Sequence, residues 1–179
     1  EPVFTKAVQW YRESLSSVTV SPVNKAPFRS PEDVINAIIE TGRLTVQSGM
    51  VDSFFGNISV RYGDIIYISQ TGSSLDELSG CIDPCPMDNS TTNAITASSE
   101  FSAHKALYSM TEKKSILHGH PKFSVTMSML CDDLSCLNRG RCHIRCSRGR
   151  CIEDVPVVPG EIGTGPNSLS RTMPSAMKG

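Results

Sequence analysis

"NISVRYGDIIYISQTG", residues 57 to 72, decides the fold class. Asn57 to Arg61 and Ile65 to Ser69 read as strands, with "YGD" in the turn, so the segment is a β-hairpin. Upstream, "SPEDVINAIIETGRLTVQSG" (30–49) is a helix with its start written in. Ser30 is the N-cap, Pro31 suits the first helical position, and Glu32 and Asp33 favour the positive end of the helix dipole. Gly49 is the stop. Further upstream, Val3, Phe4, Ala7, Val8, Tyr11 and Leu15 recur at helical spacing, and "SSVTVSPVNKAPF" then follows as an extended connector.

Downstream, the Gly, Pro, Asp, Ser and Thr content of residues 72–96 reads as a long loop. "SSEFSAHKALYSM" (98–110) reads as a helix capped by Ser98 or Ser99. "SILHGH" is a short strand, "KFSVTMSML" a helix after Pro121, and "DVPVVPG" another strand. The tail begins as a Gly/Pro loop and ends in a short helix. Strands and helices mix without a βαβ repeat, which predicts an α/β layered domain with antiparallel pairing.

With 179 residues the chain suits one domain with a real core. A hydrophobic fraction of 39% and a formal net charge of −1 exclude a disordered tail and a generally basic nucleic-acid binder. No apolar run approaches the about 18 residues of a membrane span. The charged N-terminus is not a signal peptide, so a cytoplasmic setting is expected. The chain opens at Glu1 without Met, and a processed chain or fragment is expected.

"ILHGHP" (116–121) carries His118 and His120. Residues i and i+2 of a strand face one side, so the two imidazoles can meet one divalent ion of the zinc type. Taken alone, the pair reads more readily as two satisfied histidines on a sheet face. Its company narrows the choice. "SSE" (98–100) sets two hydroxyls and a carboxylate at a predicted helix start, where free N–H groups can hold an anion without Lys or Arg. "GNIS" (56–59) and "QTG" (70–72) flank a hairpin strand, with Gly56 and Gly72 allowing close backbone approach.

This order of motifs resembles the class II aldolase/adducin family, the zinc-dependent sugar-phosphate aldolases related to fuculose- and rhamnulose-phosphate aldolases. The likeness runs through "VDSFFGNISVR", "YISQTGSSLDEL", "TASSEFSAHKALY", "ILHGHPKFSVTMSM" and "VPVVPGEIGTGP". It implies a three-layer α/β/α fold with a largely antiparallel central sheet, assembled as a homotetramer. It implies a phosphorylated sugar as substrate, bound through Asn57, Thr71, Gly72, Ser98 and Ser99. Glu100 would be the catalytic acid/base, with His118 and His120 as zinc ligands. Retro-aldol cleavage through a metal-stabilised enediolate is the leading reaction. Epimerase, decarboxylase and dehydratase chemistry on the same scaffold, or an adducin-like binding or assembly role, are the alternatives.

The resemblance also implies a third zinc histidine from a later strand, in an H-G setting. Beyond the pair, the sequence holds only His104 and His143. Either this copy has an unusual site or, as expected, the domain spanning 30–179 is C-terminally incomplete, following an N-terminal helix and connector at 1–29.

Of seven cysteines, Cys131, Cys136, Cys142, Cys146 and Cys151 crowd into an insert at 131–151, with His143 beside Cys142. The spacing is not that of a zinc ribbon with paired C-x2-C knuckles. These thiols can close a second, structural zinc site, hold an iron–sulfur cluster, form disulfides or stay free. Cys81 and Cys85 could join any of these. The arginines at 139, 141, 145, 148 and 150 lack interleaved aromatics, which argues against nucleic acid.

Overall fold

A computed structural model describes residues 26–146, 148–161 and 165–177, together with Thr5, Lys6, Gln9 and Glu13. Those four residues, each helical, are the described part of the helix expected over 3–15. The rest of that helix and most of the connector lie outside the described residues.

Helix α1 (Pro31–Gln47) starts as its sequence dictates. The Asp33 N–H donates to Ser30 Oγ at 3.2 Å, and Asp33 Oδ2 accepts from the Arg29 N–H at 3.0 Å. Ser48 caps the C-terminus and Gly49 takes φ +70. The hairpin is β1 (Gly56–Tyr62) and β2 (Ile65–Ser69), pairing Ser59 with Ile68 and Tyr62 with Ile65. Strand β3 (Ile82–Pro86) lies beside β2, and β4 (Ser115–Gly119) beside β1, giving the antiparallel order β3-β2-β1-β4.

Alternation along these strands builds two cores. Ile58, Val60 and Tyr67 pack with Val34 and Ile38 of α1 and with Leu75 and Leu78. On the opposite face, Ile66, Ile68 and Cys85 pack with Ala97 and with Tyr108 of helix α2 (Phe101–Met110). Each fully buried aliphatic side chain contributes about 1.5–3 kcal/mol. Helix, antiparallel sheet and helix form the expected three-layer α/β/α arrangement.

Beyond β4 come α3 (Lys122–Met129), the short α4 (Cys142–Arg145), a hairpin of β5 (Arg150–Ile152) with β6 (Val155–Val157), and α5 (Leu169–Ala176). Helix α5 packs on α2. None of the residues of α3 is buried. Among the described residues no helix is long and apolar enough to cross a membrane.

Three expectations need correction. The loop read over 72–96 contains β3 and supplies the buried Leu75 and Leu78. Strand β3 reads "IDPCP", and its prolines, which cannot donate to a ladder, are tolerated because the strand sits at the sheet edge. The N-cap of α2 is Glu100, not Ser98 or Ser99, and makes no side-chain cap bond. Ser98 instead closes the preceding turn, its carbonyl accepting from the Phe101 N–H at 2.8 Å and its Oγ from the Glu100 N–H at 3.3 Å. His120 lies just past the end of β4, its N–H donating to Phe55 O at 3.3 Å.

Candidate active site

The register of β1 against β4 sets Asn57 directly opposite His118. Both side chains face α2, and Glu100 stands at the start of that helix. The three side chains meet although Asn57 and Glu100 are 43 positions apart in sequence, and Asn57 and His118 are 61. His118 Nδ1 lies 2.5 Å from Glu100 Oε2. Asn57 Nδ2 donates to the same Oε2 at 3.2 Å and lies 3.1 Å from His118 Nδ1. The reverse amide orientation would set two acceptor oxygens against each other. Asn57 Oδ1 is buried without a partner among the described residues.

Glu100 is 8% exposed. Burial alone would raise its pKa. The hydrogen bond and electrostatic attraction of the His118 ring, with the Asn57 hydrogen bond, outweigh that and hold the carboxyl below its ordinary value. Glu100 is therefore a buried carboxylate that stays ionised, at the positive end of α2.

One turn further along α2, His104 is 2% exposed and its Nδ1 lies 2.7 Å from Ser59 Oγ. That hydroxyl also lies 2.8 Å from the Tyr108 OH, which donates to Ser59 O at 3.0 Å. Arg61 Nη1 donates to Tyr108 O at 3.1 Å. Asn57, Ser59 and Arg61, at strand period, thus meet Glu100, His104 and Tyr108, at helix period. Burial lowers the His104 pKa to about 4, so its ring is neutral. Sequence reasoning missed the partnership of His104 with Ser59 and Tyr108. The i, i+2 spacing on β1 against i, i+4 on α2 carried that signal.

The imidazole rings of His118 and His120 lie 4.9 Å apart between centroids, at 54°. His120 is exposed and its ring is 6.0 Å from that of Phe55. It also borders a cleft of about 320 Å³ lined by Met50, Val51, Asp52, Lys122 and Phe123. With Nδ1 of His118 turned to Glu100, Nε2 is the nitrogen left for a metal, and a carboxylate on the far ring nitrogen is the usual support of a zinc-binding histidine. The donor chemistry of the pair fits a divalent metal of the zinc type, and supplies part of a coordination shell. Among the described residues no cluster of three or more His, Cys, Asp or Glu forms a metal cage.

Close approach of β1 to β4 at this site depends on glycine. A Cβ on Gly56 would lie 2.5 Å from His118 O, and one on Gly119 2.5 Å from Val51 Cγ1.

The residues expected to bind phosphate fall into two groups. Thr71 and Gly72 follow β2, and Ser98 and Ser99 precede α2. A bridge between Gln70 and Ala97 joins the two segments. The Thr71 N–H donates to Thr96 O at 3.0 Å, Thr71 Oγ1 to Ala97 O at 2.9 Å, and the Ser98 N–H to Ser69 O at 3.0 Å. Ser98 is buried, while Thr71, Gly72 and Ser99 are exposed. Asn57 belongs to neither segment and stands against Glu100.

Cys131, Cys136, Cys142, Cys146 and Cys151 are free, as are Cys81 and Cys85. Cys142 Sγ donates to Asn138 O at 3.7 Å and Cys146 Sγ to Arg148 O at 3.6 Å. The side chain of His143 lies outside the described residues.

The family model described as Class II Aldolase and Adducin N-terminal domain matches residues 36–178. Among solved structures, the chain is similar to L-fuculose-1-phosphate aldolase from Thermus thermophilus, with 23% identity and a TM-score of 0.50, over 62% of this chain and 56% of that one. It is similar to YgbL from Escherichia coli, assigned between aldolase, epimerase and decarboxylase, with 22% identity and a TM-score of 0.52, over 56% of this chain and 50% of that one. YgbL from Klebsiella pneumoniae gives 19% identity and a TM-score of 0.53, over 60% and 53%. This chain thus spans about half the length of those proteins, and at these identities the likeness is one of fold. No curated protein matches the chain.

Proposed function

The chain belongs to the class II aldolase and adducin N-terminal domain family, and from that premise we propose that it is a metal-dependent lyase cleaving a C–C bond in a phosphorylated sugar. The observation that carries this reading is the contact of Glu100 with His118, 2.5 Å, with the His120 ring alongside. A carboxylate that remains ionised in a buried setting, next to paired imidazoles, suits proton transfer at a carbon beside a carbonyl.

His118 and His120 would hold the metal, zinc in the first instance. When bound, it supplies Lewis-acid stabilisation of the negative charge that develops on the carbonyl oxygen. Glu100 takes the proton from the carbon next to the carbonyl in the condensation direction and returns it in cleavage. Asn57 and His118 fix its Oε2 through hydrogen bonds, so the carboxylate needs no rearrangement to act. Thr71, Gly72, Ser98 and Ser99 would take the phosphate at the neutral, N–H-rich approach to α2. That grip supplies binding energy away from the reacting bond.

By resemblance the protein would also act as a homo-oligomer, a tetramer. The YgbL relatives support a second reading, in which the same proton transfer serves an epimerase or decarboxylase.

Incubating the zinc-loaded protein with L-fuculose 1-phosphate, L-rhamnulose 1-phosphate and an acid analogue of each, with products read by NMR and mass spectrometry, tests the proposal. Release of a three-carbon ketose phosphate supports a lyase. Conversion to an isomer of unchanged mass supports the epimerase, and loss of CO2 from an acid analogue supports the decarboxylase.

A further inference from the structure

Asp83 sits on β3, in a stretch whose sequence reads as loop, and is 9% exposed. Its carboxylate meets no cation among the described residues. One oxygen, Oδ1, accepts from Gln70 Nε2 at 2.8 Å, and the other, Oδ2, from Thr96 Oγ1 at 2.7 Å. Gln70 immediately precedes Thr71 and Gly72, and Thr96 lies two residues before Ser98. The carboxylate therefore spans two segments that are joined as well by the Gln70–Ala97 bridge, its neighbouring backbone bonds and the bond from Thr71 Oγ1 to Ala97 O.

Burying a carboxylate is costly unless hydrogen bonds offset it. Here both oxygens are engaged, and by side chains from different segments. A hydrophobic residue at this edge position would pack beside Ile68 without linking the segments. The adjacent segment 93–95 is held by a further contact, Asn93 Nδ2 to Pro84 O at 2.8 Å, so β3 anchors the approach to Ser98 at two points.

We propose that Asp83 is a positioning residue for the anion pocket. It locks the Gln70–Gly72 segment to the Thr96–Ser99 segment, so that the loop surface proposed to meet a phosphate is preset before it arrives. The inference rests on the reading that Thr71, Gly72, Ser98 and Ser99 take the phosphate.

The test uses the full chain with Asp83→Ala and, as a milder change at the surface end of the link, Thr96→Val. Amide hydrogen exchange is read at Thr71 and Ser98, and inorganic phosphate binding by calorimetry. Exchange at both amides should quicken by about tenfold while the β1–β2 hairpin amides keep their protection. The phosphate dissociation constant should rise by about the same factor. Unchanged exchange at Thr71 and Ser98 in both variants overturns the lock. Faster exchange with unchanged phosphate affinity overturns its role in the pocket. If the unaltered chain takes no phosphate, the phosphate reading falls and the positioning role with it, while the exchange data still report whether Asp83 joins the segments.

Discussion

Glu100 Oε2 lies 2.5 Å from His118 Nδ1, joining the N-cap of a helix to an edge strand across the site. The contact assigns each group a task. The carboxylate is held and kept ionised, and the imidazole is left with one free nitrogen. Replacing Glu100 with Gln preserves shape and Asn57 as a neighbour but removes the proposed base. Turnover should fall by about 10²–10⁴-fold with Tm nearly unchanged, measured by steady-state kinetics and thermal melting.

Metal content follows from the paired rings. His118→Ala and His120→Ala should each lose most bound zinc, as read by elemental analysis after dialysis. Glu100→Gln, which alters support on the far nitrogen of His118, should weaken zinc by about 10–100-fold while leaving both rings in place. Chelation should abolish turnover in the parent chain, and added zinc should restore it.

Stability should depend on pH through His104. Its pKa is lowered by burial from 6.5 to about 4. The unfolded chain therefore binds a proton in this window that the folded chain refuses, and stability rises with pH across it. The contribution is complete above pH 6.5 and is lost as pH falls toward about 4. At about 1.4 kcal/mol per pKa unit this amounts to about 3 kcal/mol. Urea unfolding of the parent chain and His104→Gln at a series of pH values checks it. The variant should show the shallower slope between those limits.

Gly56 should tolerate no side chain. An added Cβ meets His118 O at 2.5 Å and Leu75 Cδ1 at 2.8 Å, so β1 and β4 must separate just where Asn57 faces His118. Gly56→Ala should cost about 1–3 kcal/mol, seen as a lower urea midpoint. Its loss of turnover should exceed that of a core variant of equal stability cost, such as a conservative change at Leu78.

Much of this was legible in the sequence, and the parts that were not share a cause. Ser30, Pro31 and Gly49 announce α1 because capping is local chemistry, and the hairpin is announced by its own residues. The strand "IDPCP" was not legible, because it is held by β2 and not by propensity. The family motifs pointed to Asn57, Glu100 and His118, but their contact depends on the register of β1 against β4 and on where α2 begins. The last of these was misjudged, because Ser98 serves a turn before the helix and not the cap. Asp83 and the Ser59–His104–Tyr108 group escaped notice because their partners lie on different elements.

The most direct test of the proton-transfer site needs no knowledge of the natural sugar. Dihydroxyacetone phosphate, a minimal ketose phosphate, is incubated with the zinc-loaded chain in D2O and followed by NMR. The account predicts deuterium entering at the carbon beside the carbonyl, with uptake all but abolished in Glu100→Gln. Uptake at the parent rate in Glu100→Gln, or none with the parent chain, would contradict it.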